Sequence, residues 1–190
     1  FGGYLLPDAS GPSIGGVQTY IRFLAREFRC AGFEPIVVQF STGRFEAEYD
    51  GVTVIGIGEF GSGKPPQSGH SLMNAVSERI DVTRDILVIC SEQTGVSTKY
   101  ARSIVIQHGV SWDIALEDLP ARGLIRQLSL RFRIAKCMRR LYQAWKYKKM
   151  AECARYRVCV DYNFPNWLRT WDCGEASAVQ YVIPNPVFGF

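Results

Sequence analysis

Short apolar runs of strand length recur along the chain, at residues 35–40, 85–90, 103–107, 157–160 and 179–183. Most lack the alternation of a strand with one wet face, and stretches of helical period separate them. Continuous apolar strands divided by helices are what a parallel sheet covered on both faces requires. The expected fold class is therefore α/β, a Rossmann-like, doubly wound and mainly parallel sheet with helices on both faces. Ligands of such sheets gather beyond the carboxyl ends of the strands. The loops that matter are then residues 7–16 and the one beginning at His108.

The remaining elements follow from pattern. Residues 1–6 read as the end of a first strand, and residues 7–14 as a loop rich in Pro, Gly, Ser and Asp. Gly15 and Gly16 open an amphipathic helix to Ala31, in which Val17, Tyr20, Ile21, Leu24, Ala25 and Phe28 repeat at three- and four-residue spacing. Gly32 is its stop. Asp50-Gly51 is a tight-turn signal between two strands, residues 45–49 and 52–57. Residues 58–69 form a Gly/Pro/Ser loop. Helices are expected at 71–81, at about 124–154 and at 164–171.

The chain has 190 residues, the size of one ordinary domain, and 47% of them are hydrophobic against 21% charged. That is the composition of a globular protein rather than a disordered one. No apolar run approaches the ~18 residues of a spanning helix. There is no initial Met and no signal peptide, and both ends read as cut. The six cysteines, at 30, 90, 137, 153, 159 and 173, form no CxxC pair and have no zinc spacing. They are expected to be buried, unpaired thiols in a reducing cytosol.

A net charge of +4 conceals an uneven distribution. Residues 122–157 hold twelve Lys and Arg and a single acid, Glu152, whereas the rest of the chain carries ten basic and seventeen acidic groups. Tyr142, Trp145 and Tyr147 lie among the cations. A helix of this kind has three readings: a solvated face on a core helix, a contact with an anionic membrane, or a phosphate-backbone contact. Arg131, Arg139, Arg140, Trp145, Lys148 and Lys149 are the membrane-contact candidates. Nucleic acid is not expected as a partner.

One conspicuous motif is a decoy. Gly58-Glu-Phe-Gly-Ser-Gly63-Lys64 matches the opening of a phosphate-binding P-loop, but Pro65 stands where Ser or Thr would hold magnesium, and Pro66 follows it. The overlapping Gly56-x-Gly58-x-x-Gly61 has the same defect, since no helix start follows it. Gly15-Gly16 is better placed, between a strand and a helix whose first N–H groups can meet an anion. His108 follows four β-formers, Ile104 to Gln107, and so stands at a carboxyl end. There its imidazole can bond a sugar hydroxyl or exchange a proton. The other histidine, His70, reads as a loop residue. Asp113, Glu117 and Asp118 are possible acids near His108, and no metal cage is visible.

Taken in order, these features resemble the N-terminal domain of family 4 glycosyltransferases, which have the GT-B fold. The matching pieces are Gly15-Gly-Val-Gln-Thr-Tyr-Ile-Arg-Phe-Leu-Ala25, Ala31-Gly-Phe-Glu-Pro-Ile-Val-Val38, Asp50-Gly-Val-Thr-Val54, Ile104-Val-Ile-Gln-His-Gly109 and Val182-Ile-Pro-Asn185. Phe33, Pro35 and Pro186 depart from the family's usual residues. The resemblance implies an acceptor-side domain over residues 1–183 and the start of a linker over 184–190, with the donor-binding domain absent. It implies transfer from a nucleotide-sugar to a glycan or lipid-linked acceptor with retention, without a cofactor or metal. It also implies a cytoplasmic enzyme, peripheral at the inner face of the membrane. By the same match Gly15, Gly16 and Gln18 bind substrate and His108 is the catalytic candidate. Such a half is not expected to catalyse transfer alone; the alternative reading of the chain is a non-catalytic Rossmann-like module that docks on a membrane surface or RNA through the basic helix.

Overall fold

A computed structural model describes residues 3–58, 69–91, 96, 100–108, 134, 137–138, 141–142, 145, 148–149, 152–169 and 179–184. In chain order the elements are α1 (Gly16–Cys30), β1 (Ile36–Gln39), β2 (Arg44–Tyr49), β3 (Val52–Ile57), α2 (Gly69–Ser77), β4 (Leu87–Ile89), β5 (Ser103–Gln107), β6 (Tyr156–Cys159), α3 (Asn163–Arg169) and β7 (Val179–Val182). The chain is α/β. Strands β4-β5-β6-β7 form an all-parallel sheet in sequence order. A second, three-stranded sheet has the order β1-β3-β2, with β1 parallel and β2 antiparallel to β3.

Side-chain alternation covers both faces of the parallel sheet. Val88, Cys90, Ile106, Val158 and Val160 point to one side and pack with Tyr20 and Leu24 of α1. Leu87, Ile89 and Val105 point to the other and pack with Met73 and Val76 of α2. On that side Cys159 and Val182 meet Phe164 and Trp167 of α3. One register further round α1, Ile21 and Ala25 pack against Tyr4 and Leu5 and against Val37, Val52 and Val54 of the smaller sheet. Helix α1 thus serves both sheets with two adjacent stripes, which is why its apolar face is wide.

The punctuation read from the sequence is realised. Gly32 has φ 85°, a left-handed conformation that favours glycine. Around it Gly32 N–H donates to Arg29 O and Phe33 N–H to Phe28 O, both at 2.9 Å. The Phe28 and Phe33 rings pack 6.0 Å apart, completing a Schellman ending. Asp50 (φ 53°) and Gly51 (φ 68°) form the hairpin turn, the pairing of positive φ values that matches strand twist. Arg29 Nη1 donates to Asp50 O at 2.6 Å and ties the end of α1 to that turn.

Several expectations need correction. Residues 1–6 do not supply a ladder strand among the described residues. Leu5 makes only an isolated bridge to Pro12, while Leu6 and Ser13 bond back across the loop. The Gln39 carboxamide takes both main-chain groups of Leu5, accepting from its N–H at 2.9 Å and donating to its carbonyl at 3.1 Å. A side chain thereby replaces a neighbouring strand. Helix α2 starts at Gly69, two residues before the expected residue 71, so that His70 is helical rather than in the loop, and it stops at Ser77, four residues short of Asp81. Arg157, counted above with the basic surface, is only 1% exposed. Its guanidinium stands 5.6 Å over the Phe164 ring and its Nη1 donates to Gln180 Oε1 at 3.4 Å. The described cysteines are unpaired, but two are exposed rather than buried: Cys30, which lies off the packed stripe of α1, and Cys137. Residues 59–68, which hold Lys64 and Pro65, lie outside the described residues, as do Cys173 and Asn185.

Candidate functional site

The carboxyl end of β5 and the start of α1 meet through one ring contact. His108 follows β5 directly, and its ring lies edge-on to Tyr20 of α1, with centroids 5.4 Å apart and planes at 90°. Tyr20 is 4% exposed and packs on Ile106 and Val160. It stands one turn beyond Gly16, so the contact fixes the first turns of α1 against the end of the parallel sheet.

His108 Nε2 and the Cys90 carbonyl oxygen are 2.8 Å apart. The acceptor is a carbonyl, so Nε2 carries the proton. Burial lowers the imidazole pKa below its ordinary value, and the Cys90 carbonyl opposes this to a lesser degree. The ring is therefore neutral at pH 7, suited to orienting a hydroxyl rather than to delivering a proton. Burial pushes the Cys90 thiol up to about 12, so Cys90 contributes its carbonyl and not a thiolate. Burial likewise raises the Tyr20 phenol, with nearby Cys90 adding to the effect.

Gly15 precedes α1 in an extended conformation and makes no side-chain cap. The first helical bond runs from Thr19 N–H to Gly15 O at 2.9 Å, and no acidic side chain occupies the first turn. No carboxylate in the first turn offsets the partial positive charge of this N-terminus. A Cβ on Gly15 would collide with the Gln18 carboxamide, whereas a Cβ on Gly16 would meet nothing within 4 Å. Gln18 thus folds back over the glycine that precedes the helix. The loop before it is pinned, with Thr42 N–H and Oγ1 bonding Pro7 O and the Arg22 guanidinium bonding Ser13 O.

Of the candidates read from the sequence, Gly15, Gly16 and Gln18 lie at the start of α1 and His108 follows β5, with Tyr20 of α1 in contact with His108. His70 lies exposed on α2. Asp113, Glu117 and Asp118 lie outside the described residues, as do Arg131, Arg139 and Arg140. Trp145 and Lys149 are exposed and helical, while Lys148 is half-buried and 3.8 Å from Glu152. Tyr20 and the Cys90 carbonyl were not singled out by the sequence. Tyr20 has the same spacing as any core residue of α1, and a carbonyl partner carries no residue signature. Among the described residues no three His, Cys, Asp or Glu side chains gather to hold a metal, and no helix is long and apolar enough to cross a membrane. Comparison with protein-family models, curated proteins and solved structures finds no match to this chain.

Proposed function

We propose that the chain is the acceptor-side domain of a retaining, nucleotide-sugar-dependent glycosyltransferase of GT-B architecture. The observation that carries this reading is the Tyr20–His108 contact, which brings the glycine-opened start of α1 to the carboxyl end of the parallel sheet. In this reading the donor is held by a second domain, and its diphosphate faces the start of α1. Backbone N–H groups there stabilise the negative charge that builds as the bond between sugar and phosphate breaks. A neutral His108 orients the transferred sugar through its hydroxyls and raises the fraction of reactive geometries. The acceptor, a glycan or a lipid-linked saccharide, lies against this domain at the cytoplasmic side of a membrane. No metal or cofactor is required.

Gly16 offers a clean test, because an added methyl group there touches no protein atom. Gly16→Ala should fold normally and melt at the same temperature or slightly higher, since Ala favours a helix over Gly. In the full-length enzyme it should lower nucleotide-sugar turnover by about tenfold or more, by intruding where the diphosphate approaches. Unchanged turnover in Gly16→Ala, or no nucleotide-sugar consumed by the native enzyme, would remove the reading.

A further inference from the structure

The carboxyl ends of β5 and β6 lie at one level. Val160 N–H donates to Gln107 O at 3.1 Å, so the chain leaves β6 beside the chain that leaves β5 for His108. Two residues further on, Tyr162 stands one strand across from His108, at the end of the sheet where ligands of this fold class gather. It is 67% exposed, more than any other described Phe, Tyr or Trp. Phe33, Tyr49 and Tyr142 are exposed too, but each of their rings packs on another aromatic ring. Tyr181 belongs to the edge strand β7 and not to a loop. Among the described residues no aromatic ring packs on Tyr162.

The main chain beneath this ring is fixed. Asp161 Oδ1 accepts from Asn163 N–H at 2.8 Å, and Tyr162 O accepts from Asn166 N–H at 3.0 Å. Phe164, fully buried against Cys159, anchors the start of α3 just beyond. A ring presented to water on a fixed main chain loses little freedom when a ligand settles on it. Its neighbours select the ligand. Asn163 Nδ2 donates to Asp161 Oδ2 at 3.3 Å, which leaves the exposed Asn163 its Oδ1 and a second N–H for hydroxyl groups. The face of an aromatic ring is negative and attracts the C–H face of a pyranose. The Asp161 carboxylate opposes a phosphate at the same place. An uncharged, hydroxyl-rich ring answers all three groups.

We propose that Tyr162, with Asn163 beside it, is a stacking platform for a pyranose ring of a neutral saccharide. That this saccharide is the acceptor rests on the transferase reading; saccharide binding by Tyr162 does not. The full-length protein is applied to a printed array of defined neutral oligosaccharides, and uridine and adenosine are titrated separately by calorimetry. The native protein should bind a subset of the saccharides. Tyr162→Ala should weaken that binding about tenfold or more, whereas Tyr162→Phe, which keeps the ring, should stay within about twofold of native. Asn163→Ala should weaken it about fivefold. The melting temperature of Tyr162→Ala should be unchanged, since the ring is exposed. With a bound saccharide supplied as acceptor, Tyr162→Ala should raise the acceptor KM about tenfold and leave the nucleotide-sugar KM as it is. Native protein that binds no saccharide of the array, or Tyr162→Ala that binds as the native protein does, would overturn the inference. So would Tyr162-dependent binding of uridine or adenosine in the absence of saccharide binding. Tyr162-dependent saccharide binding by a protein that consumes no nucleotide-sugar would uphold the platform and remove the transferase reading alone.

Discussion

The Tyr20–His108 contact makes a measurable demand on both residues. Tyr20→Ala removes a ring that is 4% exposed, and truncation of a buried aromatic costs about 3–5 kcal/mol. For a domain of this size each kcal/mol shifts the melting temperature by about 2–4 °C, so the fall should be about 6–20 °C. The change also opens the side of the imidazole that Tyr20 covers. Desolvation is the main cause of the lowered His108 pKa, so water entering beside the ring should move it up toward its ordinary value. Tyr20→Phe keeps the ring, and His108 should then titrate nearly as in the native protein. The assay is an NMR titration of the imidazole signals, of which the chain has only two. Identical His108 titration in the native, Phe and Ala proteins would refute the claim that Tyr20 burial sets the state of this histidine.

Other consequences are simpler. Because His108 binds its proton more weakly when folded than when unfolded, its contribution to stability is intact above about pH 6.5 and is lost as pH falls toward the folded pKa. Thermal melts across that window should show a slope that His108→Gln abolishes. Gln39→Leu removes the carboxamide that serves both main-chain groups of buried Leu5, and should cost about 1–3 kcal/mol per orphaned group, read by urea unfolding. Gly56→Ala would push a methyl group into the Phe45 ring and Ser41 Oγ, and should cost about 1–3 kcal/mol by the same measurement.

Much of the architecture was legible because local and global demands agree. The run 103–107, with β-branched Ile104, Val105 and Ile106 at its centre, became β5 without change; Asp50-Gly51 became the hairpin turn; Gly32 ended α1. The failures have a common cause, which is that a residue's partner lies far away in sequence. Residues 4–5 look like strand, but the Gln39 carboxamide, 34 positions from Leu5, occupies the groups a ladder would use. Arg157 looks like surface charge until Phe164 and Gln180 close over it. At the candidate site, the positions of Gly15 and Gly16 before α1 and of His108 after β5 were legible from element boundaries. Tyr20 was hidden by its resemblance to every other core position of α1. The Cys90 carbonyl was hidden because main-chain acceptors leave no trace in side-chain identity.

The most direct test of the central claim is a screen of nucleotide-sugars against the full-length protein, native and His108→Ala, by thermal shift and product formation. One nucleotide-sugar should stabilise and be consumed by the native protein, with turnover collapsing in His108→Ala. If none raises the melting temperature or is consumed, or if His108→Ala turns over as the native enzyme does, the transferase account of this site is contradicted.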